Sequence, residues 1–303
     1  MIYISHRMDE IRRVARSVSV MRDGRLLMTA PLGEINNTDI MSHMLGETHA
    51  KALSHRSAPS RQTAPILSVH NLAVLPRVKD VSFDIHAGEI LGIAGVLGAG
   101  RTEILQTLAG HRRLKRGIMM LDGRPYRPAK LRDAISAGVF MTPEDRRGQG
   151  AVTMLGIDEN LVMANWDAVS RHGIIDQDRM RGMVNLSIAE LGITLFRSCD
   201  ALSNLSGGNQ QKVVIGKALN ARPRILLLDE PTRGVDVGAK EQIYRLMRKL
   251  ADGGLAVVFV SGELEEFPEV CDRVLVLRGG RITAELRGSE ISTTAVLNEA
   301  SGQ

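Results

Sequence analysis

Three short stretches combine residue types that could do chemistry together. Gly95-Val96-Leu97-Gly98-Ala99-Gly100-Arg101-Thr102 follows the apolar run Ile90 to Ala94 and precedes a helical pattern. Glycines let the backbone curl so that successive N–H groups face phosphate oxygens, and the following helix adds its positive N-terminal end. Thr102 could hold Mg²⁺ there. Arg101 stands where such loops usually carry Lys, so a planar fork replaces a compact ammonium. The second stretch, Ile225 to Leu228, is an apolar strand that runs into Asp229-Glu230-Pro231-Thr232. Beside a phosphate loop, Asp229 would order Mg²⁺ and its waters and Glu230 would polarise an attacking water. The third is Leu205-Ser206-Gly207-Gly208-Asn209-Gln210-Gln211-Lys212, set before a helical run with Ser206 placed as its N-cap. Each has a plainer counterpart in a packing loop, a solvated strand end or an ordinary cap. Their co-occurrence is what argues for chemistry.

These stretches need a scaffold. At 303 residues the chain has room for about two domains. From Ile66 onward, β-rich runs (ILSV, EILGIAGV, GVFMT, RILLLDE, LAVVFVS, RVLVL) alternate with helix-length stretches, which predicts a largely parallel α/β sheet. Residues from about Met154 to Leu195 keep helical spacing and read as a helical insert. Glu47 to Pro65 is polar, carries prolines and reads as a linker. Shifting the N-terminus by 256 positions lays Tyr3 to Arg25 over Phe259 to Arg281, with 8 of 23 positions identical. The matches include Val18/Val274, Val20/Val276, Arg22/Arg278 and Gly24/Gly280. The chain therefore reads as the tail of one domain followed by a second that ends the same way, with an N-terminus that looks cut.

Composition narrows the classes. The longest apolar runs, Ile225 to Leu228 and Leu255 to Val260, are far shorter than the ~18 residues of a membrane span. The first ten residues, MIYISHRMDE, lack a signal-peptide pattern, so a cytoplasmic chain is expected. The net charge of +5 is dispersed, and aromatics are 3%, too few for base stacking along a strand, so no nucleic-acid partner is expected. Cys199 and Cys271 suit neither a disulfide framework nor a metal cluster and read as buried thiols.

With LSGGNQQK, GVLGAGRTE and the strand ending in Asp229-Glu230 on the page, the sequence resembles the ATP-binding cassette (ABC) ATPases. More narrowly it is similar to the second cassette of the double-cassette subunits of bacterial monosaccharide importers of the ribose, galactose and xylose type. The resemblance implies an α/β nucleotide-binding domain over 66–303, with a P-loop, a largely parallel sheet, an antiparallel β part and a helical subdomain at about 150–200. A C-terminal remnant of a first such domain would fill 1–46, with the linker at 47–65. It also implies ATP and Mg²⁺ as cofactors. Gly95, Gly98, Ala99, Gly100, Arg101 and Thr102 would bind nucleotide, Thr102 and Asp229 would reach Mg²⁺, and Glu230 would be catalytic. Ser206, Gly207, Gly208, Asn209 and Gln210 would close over nucleotide held by another cassette, with Asp236 along the cassette interface.

Several positions depart from the family pattern. The family's γ-phosphate histidine appears as His6 in the first repeat copy and as Gly262 in the second. A family Gln that touches Mg²⁺ and the transporter is replaced by Glu144, and no aromatic residue lies between Ile66 and Ser82 to stack on adenine. Arg101, Glu144 and Gly262 together resemble second cassettes whose own P-loop site is weak. Arg101, Thr102, Asp229 and Glu230 would then serve a degenerate site, and Ser206, Gly208 and His6 a competent one whose P-loop lies elsewhere. Transmembrane permease subunits are the implied partners, and through them a periplasmic or extracellular sugar-binding protein. A second ABC domain or a homodimer would complete the sandwich, at the cytoplasmic face of the bacterial inner membrane. The surface from Glu144 to Trp166 is the expected permease contact, and Trp166 itself reads as a core or half-buried anchor. Nucleoside import, a ribosome-associated double cassette and a non-catalytic remnant stay open as alternatives.

Overall fold

The computed structural model describes residues 1–4, 8–22, 24–37, 39–40, 43 and 64–302. His6 and nearly all of the expected linker lie outside the described residues. The chain divides into two compact units, Met1–Ser57 with Asp236–Gln242, and Ala58–Val235 with Ile243–Gln303.

In the first unit, helix α1 (Met8–Val14) leads into the antiparallel hairpin β1 (Ser17–Arg22) and β2 (Arg25–Pro31). Val18 and Val20, two apart on β1 and so on one face, are buried with Ile11, Leu32 and Ile40. The register shifts between Val20 and Met21.

The second unit is built on one ten-stranded sheet. Its strands are β3 (Leu67–Val74), β4 (Val78–Ile85), β5 (Ile90–Gly95), β6 (Arg116–Leu121), β7 (Arg124–Pro125), β8 (Val139–Thr142), β11 (Ile225–Asp229), β12 (Ala256–Val260), β13 (Arg273–Arg278) and β14 (Arg281–Arg287). The two remaining strands, β9 (Ser170–Arg171) and β10 (Ile174–Ile175), form a separate small hairpin. In the large sheet the order is β7-β6-β3-β4-β14-β13-β5-β12-β11-β8. From β13 to β8 every neighbouring pair is parallel. From β14 to β7 the pairing is antiparallel, apart from a single parallel register pair between β14 and β4. The expected parallel sheet with an antiparallel part is therefore present.

Burial explains the division. β11 and β12 are buried at every position and read as unbroken apolar runs, as parallel strands covered on both faces must. β4 and β14 alternate between more and less buried positions. The expected apolar runs coincide with β3, β5, β8, β11, β12 and β13, whereas β4, β6, β7 and β14 are additions that the sequence did not single out.

Helices α2 (Arg101–Leu108) and α3 (Leu131–Ser136) flank the sheet's early strands in sequence. Ile104, Leu105 and Leu108 of α2 are buried in one core cluster with Leu91 and Ile93 of β5, Leu227 of β11 and Val258 of β12. The predicted insert is mainly helical, as α4 (Ile157–Val162), α5 (Trp166–Val169) and α6 (Gln177–Leu191), but β9–β10 interrupts it. Ile157, Leu161, Val184 and Leu191 form a second core with Val213 of α7 (Gly207–Asn220). Three further helices, α8 (Val237–Asp252), α9 (Glu266–Val270) and α10 (Thr293–Ser301), complete the described α-helices. Among the described residues no helix is long and apolar enough to cross a membrane.

Two expectations fail. Cys271 is buried, but Cys199 is exposed, in a polar turn that Arg197 and Asp200 close with a side-chain hydrogen bond of 3.1 Å. Trp166, expected as a core or half-buried anchor, is instead exposed, at 39%.

The hairpin β13–β14 repeats β1–β2 residue by residue. Met21↔Leu26 and Arg22↔Arg25 in the first correspond, 256 positions on, to Leu277↔Ile282 and Arg278↔Arg281 in the second. The register shift recurs between Val276 and Leu277, the counterparts of Val20 and Met21. A bulge of this kind re-aims a strand and marks a shared design better than identity does.

Because Leu105 is fully buried behind the loop that ends at Gly100, Leu105→Ala should lower the unfolding free energy by about 2–5 kcal/mol in urea titrations.

Candidate functional site

The parallel register brings three strand ends together. β12 lies between β5 and β11, with Val257 opposite Ile90 and Ile225 opposite Ala256. The segments leaving their C-terminal ends, Val96–Gly100, Ser261–Gly262 and Glu230, therefore emerge along one edge of the sheet. A cleft of about 700 Å³ opens there, bounded by Gly95–Glu103, Glu230, Gly262, Glu144 and, from α10, Leu297 and Ala300. Arg77 and Gln106 also line it.

The loop depends on its glycines. Gly100 caps α2 at φ +105°, and a Cβ there would fall 2.5 Å from Val78 Cγ2, so only glycine fits. Gly98, at φ +82°, faces open space. The α2 N-terminus thus opens on the cleft without side chains in the way, a geometry suited to phosphate oxygens.

Thr102 and Asp229 meet behind the loop. The Thr102 hydroxyl donates to Asp229 Oδ1 at 3.2 Å, and Asp229 is 1% exposed. Burial pushes the Asp229 carboxyl up to about 6; the Thr102 hydrogen bond opposes this, the Glu230 charge adds to it, and Arg101 opposes it. One hydroxyl and one carboxylate suit Mg²⁺ that takes its remaining ligands from phosphate and water. Among the described residues no group of three or more His, Cys, Asp or Glu could hold a metal by itself.

Glu230 sits just past β11 at φ +50°, a left-handed conformation uncommon for a residue with a side chain. Its N–H donates to Val260 O at 2.9 Å, which ties the turn to β12. Burial raises its pKa, opposed by the Gly262 hydrogen bond and by the Arg101 charge. Oε2 accepts from Gly262 N at 2.8 Å, and Oε1 lies 3.5 Å from Arg101 Nη2. Gly262 has no side chain to offer, but its backbone does hold the acid.

The other expected residues are placed as follows. Glu144, two residues beyond β8, is exposed and ion-paired with Arg233, a partner the sequence did not suggest. Ser206 caps α7, its Oγ accepting from Asn209 N at 3.5 Å and from Asn209 Nδ2 at 3.1 Å. Gly208 is buried and Gly207 lies close to Gly234 O and to Arg146. Asn209 Oδ1 accepts from Thr194 N, and Gln210 is 2% exposed with Nε2 donating to Leu205 O, so both side chains are engaged internally. Asp236 Oδ1 accepts from Ala239 N at 2.9 Å and so caps the start of α8. No residue from Ser206 to Gln210 lines the cleft at the Gly95–Thr102 loop. Arg77, whose Nη1 donates to Glu103 Oε1 at 2.7 Å, was invisible in sequence because 26 positions separate the pair.

A curled α/β sheet with a glycine loop and an acid pair at one strand edge defines a nucleotide-binding cassette. The sequence profile described as ABC transporter matches residues 78–233, and the chain belongs to that family. The ADP conformation of MJ1267, an ATP-binding cassette of an ABC transporter, superposes with a TM-score of 0.67 at 21% identity, over 80% of this chain and 100% of that one. A nucleotide-free ATP-binding cassette matches with a TM-score of 0.65 at 21% identity, over 78% of this chain and 96% of that one. Among curated relatives, the uncharacterized ABC transporter ATP-binding protein YphE of Escherichia coli K12 is 41% identical over 94% of this chain and 56% of its own length. Ribose import ATP-binding protein RbsA 1 of Rhizobium johnstonii is 40% identical over 99% of this chain and 59% of its own. The chain thus spans less than two thirds of the length of these relatives.

The raised Asp229 carboxyl fixes a pH dependence. With a folded value above the ordinary 3.8, the group favours folding while protonated in both states, and that contribution is lost as pH rises through about 6. Asp229→Asn should therefore be more stable than the parent by about 1–3 kcal/mol at pH 7, the gap closing towards pH 4. Urea titrations at the two pH values check this, and an equal gap at both would place its cause outside Asp229.

Proposed function

We propose that the chain is the second-cassette portion of the ATP-binding subunit of a monosaccharide importer. What carries the reading is similarity along nearly the whole chain, at 38–40% identity, to proteins named ribose import ATP-binding proteins. In this reading residues 1–46 are the end of a first cassette, 47–65 a linker and 66–303 the second cassette. ATP and Mg²⁺ are the cofactors, and the importer's permease subunits, with a sugar-binding protein beyond them, are the partners. The chain works at the cytoplasmic face of the bacterial inner membrane.

The same reading assigns two half-sites. Gly95, Gly98, Ala99, Gly100 and Arg101 hold phosphate at the chain's own P-loop, Thr102 and Asp229 reach Mg²⁺, and Glu230 orients water. Ser206 to Gln210, with Asp236, belong to a second site completed by the P-loop of another cassette or another copy, where His6 would contact the γ-phosphate. The separation of Ser206–Gln210 from the cleft lining supports this crossed arrangement. Three features support weakness at the chain's own site: Arg101 in place of Lys, Glu144 at the cleft, and Gly262, which offers only a backbone N–H.

The isolated 303-residue chain should turn over Mg-ATP well below 1 s⁻¹, the low end of ordinary enzymes, and Glu230→Gln should bring any residual rate down to background. Phosphate release by the purified chain and the variant tests it. Sustained turnover of about 1 s⁻¹ or more that the substitution abolishes would mean a working site in this cassette.

A further inference from the structure

The side chain of Arg101 does not extend over the phosphate loop. One arm of its guanidinium donates to the carbonyl of Ser261, at the end of β12, and the other lies 3.5 Å from Glu230 Oε1. Both side chains are largely withdrawn from solvent, at 9% and 15% exposure. Glu230 completes its own coordination through Gly262 N. A carboxylate held this deep needs a counter-charge, because removing one member of a buried pair leaves the other uncompensated. The guanidinium can serve because its fork donates in two directions at once, towards Ser261 O and towards Glu230, which a lysine ammonium on a flexible stem would not hold as a fixed plane.

From this pairing we propose that Arg101 and Glu230 form a latch: in the nucleotide-free cassette Arg101 is the counter-ion of Glu230, and a nucleotide phosphate gains the guanidinium only by displacing that carboxylate. Arg101 is then a positioning residue for Glu230 first and a phosphate ligand second. The latch rests on the nucleotide reading of the cleft and supplies a physical origin for weak binding there. The loop's backbone is well formed, but its one cation is already engaged. Release of Glu230 from Arg101 accompanies phosphate entry, so the acid becomes free to orient water only when nucleotide is present.

The test is a double-substitution cycle on the full 303-residue chain with Arg101→Met, Glu230→Gln and both together, read without nucleotide and with Mg-ATP. Without nucleotide, the double variant should melt above Arg101→Met, because removing the orphaned carboxylate rescues the loss of its partner. A double variant that melts no higher overturns the pairing. By equilibrium dialysis, Glu230→Gln should tighten Mg-ATP about tenfold when Arg101 is present and less than about twofold in the Arg101→Met background. Equal tightening in both backgrounds would reduce the effect to repulsion between Glu230 and phosphate and overturn the latch. Absence of Mg-ATP binding in all four chains, whatever their melting temperatures, would overturn the nucleotide reading and the competition with it. Should Arg101→Met fail to fold, Arg101→Gln takes its place in the cycle with the same expected outcomes.

Discussion

The parallel register of β5, β12 and β11 is the constraint from which the site follows. β12 pairs with β5 on one side and β11 on the other, so the C-terminal ends of all three reach one edge together. That edge receives the glycine loop and, from more than a hundred residues further along the chain, the acid pair and the Ser261–Gly262 segment. β11 and β12 are buried at every position, so a slip of either would drag apolar side chains out of register with both neighbours. The hydrogen bonds of Glu230 to Val260 O and Gly262 N then bind the acid to β12 rather than leaving it at a free strand end.

Much of this was readable from sequence, for identifiable reasons. The Gly95–Thr102 loop, the Asp229–Glu230 pair and the Ser206 cap stand out because each follows or precedes a strong local pattern: an apolar strand, a helical run, or both. Strands β4 and β14 were not legible because their half-buried alternation is weak beside the continuous runs of the parallel strands. Cys199 was misread because its type favours burial on average, whereas its exposure is set by the turn between Arg197 and Asp200. The partners of Arg101 were hidden most completely. Ser261 is 160 residues away and Glu230 is 129, and no local pattern specifies where a long cationic side chain will turn.

The repeat shows a different kind of legibility. Identity at 8 of 23 positions is modest, but it captures two hairpins whose registers and bulges correspond residue for residue. Some of the differences are conservative, such as Ile4/Val260 and Met21/Leu277, but the one beside Glu230 is not. His6 corresponds to Gly262, and in the second copy the acid that a histidine side chain would face is met by a main-chain N–H instead. Shared hairpin architecture and a chemical difference at one matched position therefore coexist within one chain.

The single tryptophan gives the molecule an optical property of its own. Trp166 begins α5, beside the core that joins α4, α6 and α7, and its ring stands partly in water and partly against protein. Indole emission is sensitive to that boundary, and no second indole elsewhere in the chain competes with it. Indole emission, excited to the red of the three tyrosines, is therefore a spectroscopic window on the helical part, and a change in the wetting of that region will register as a colour shift without any label.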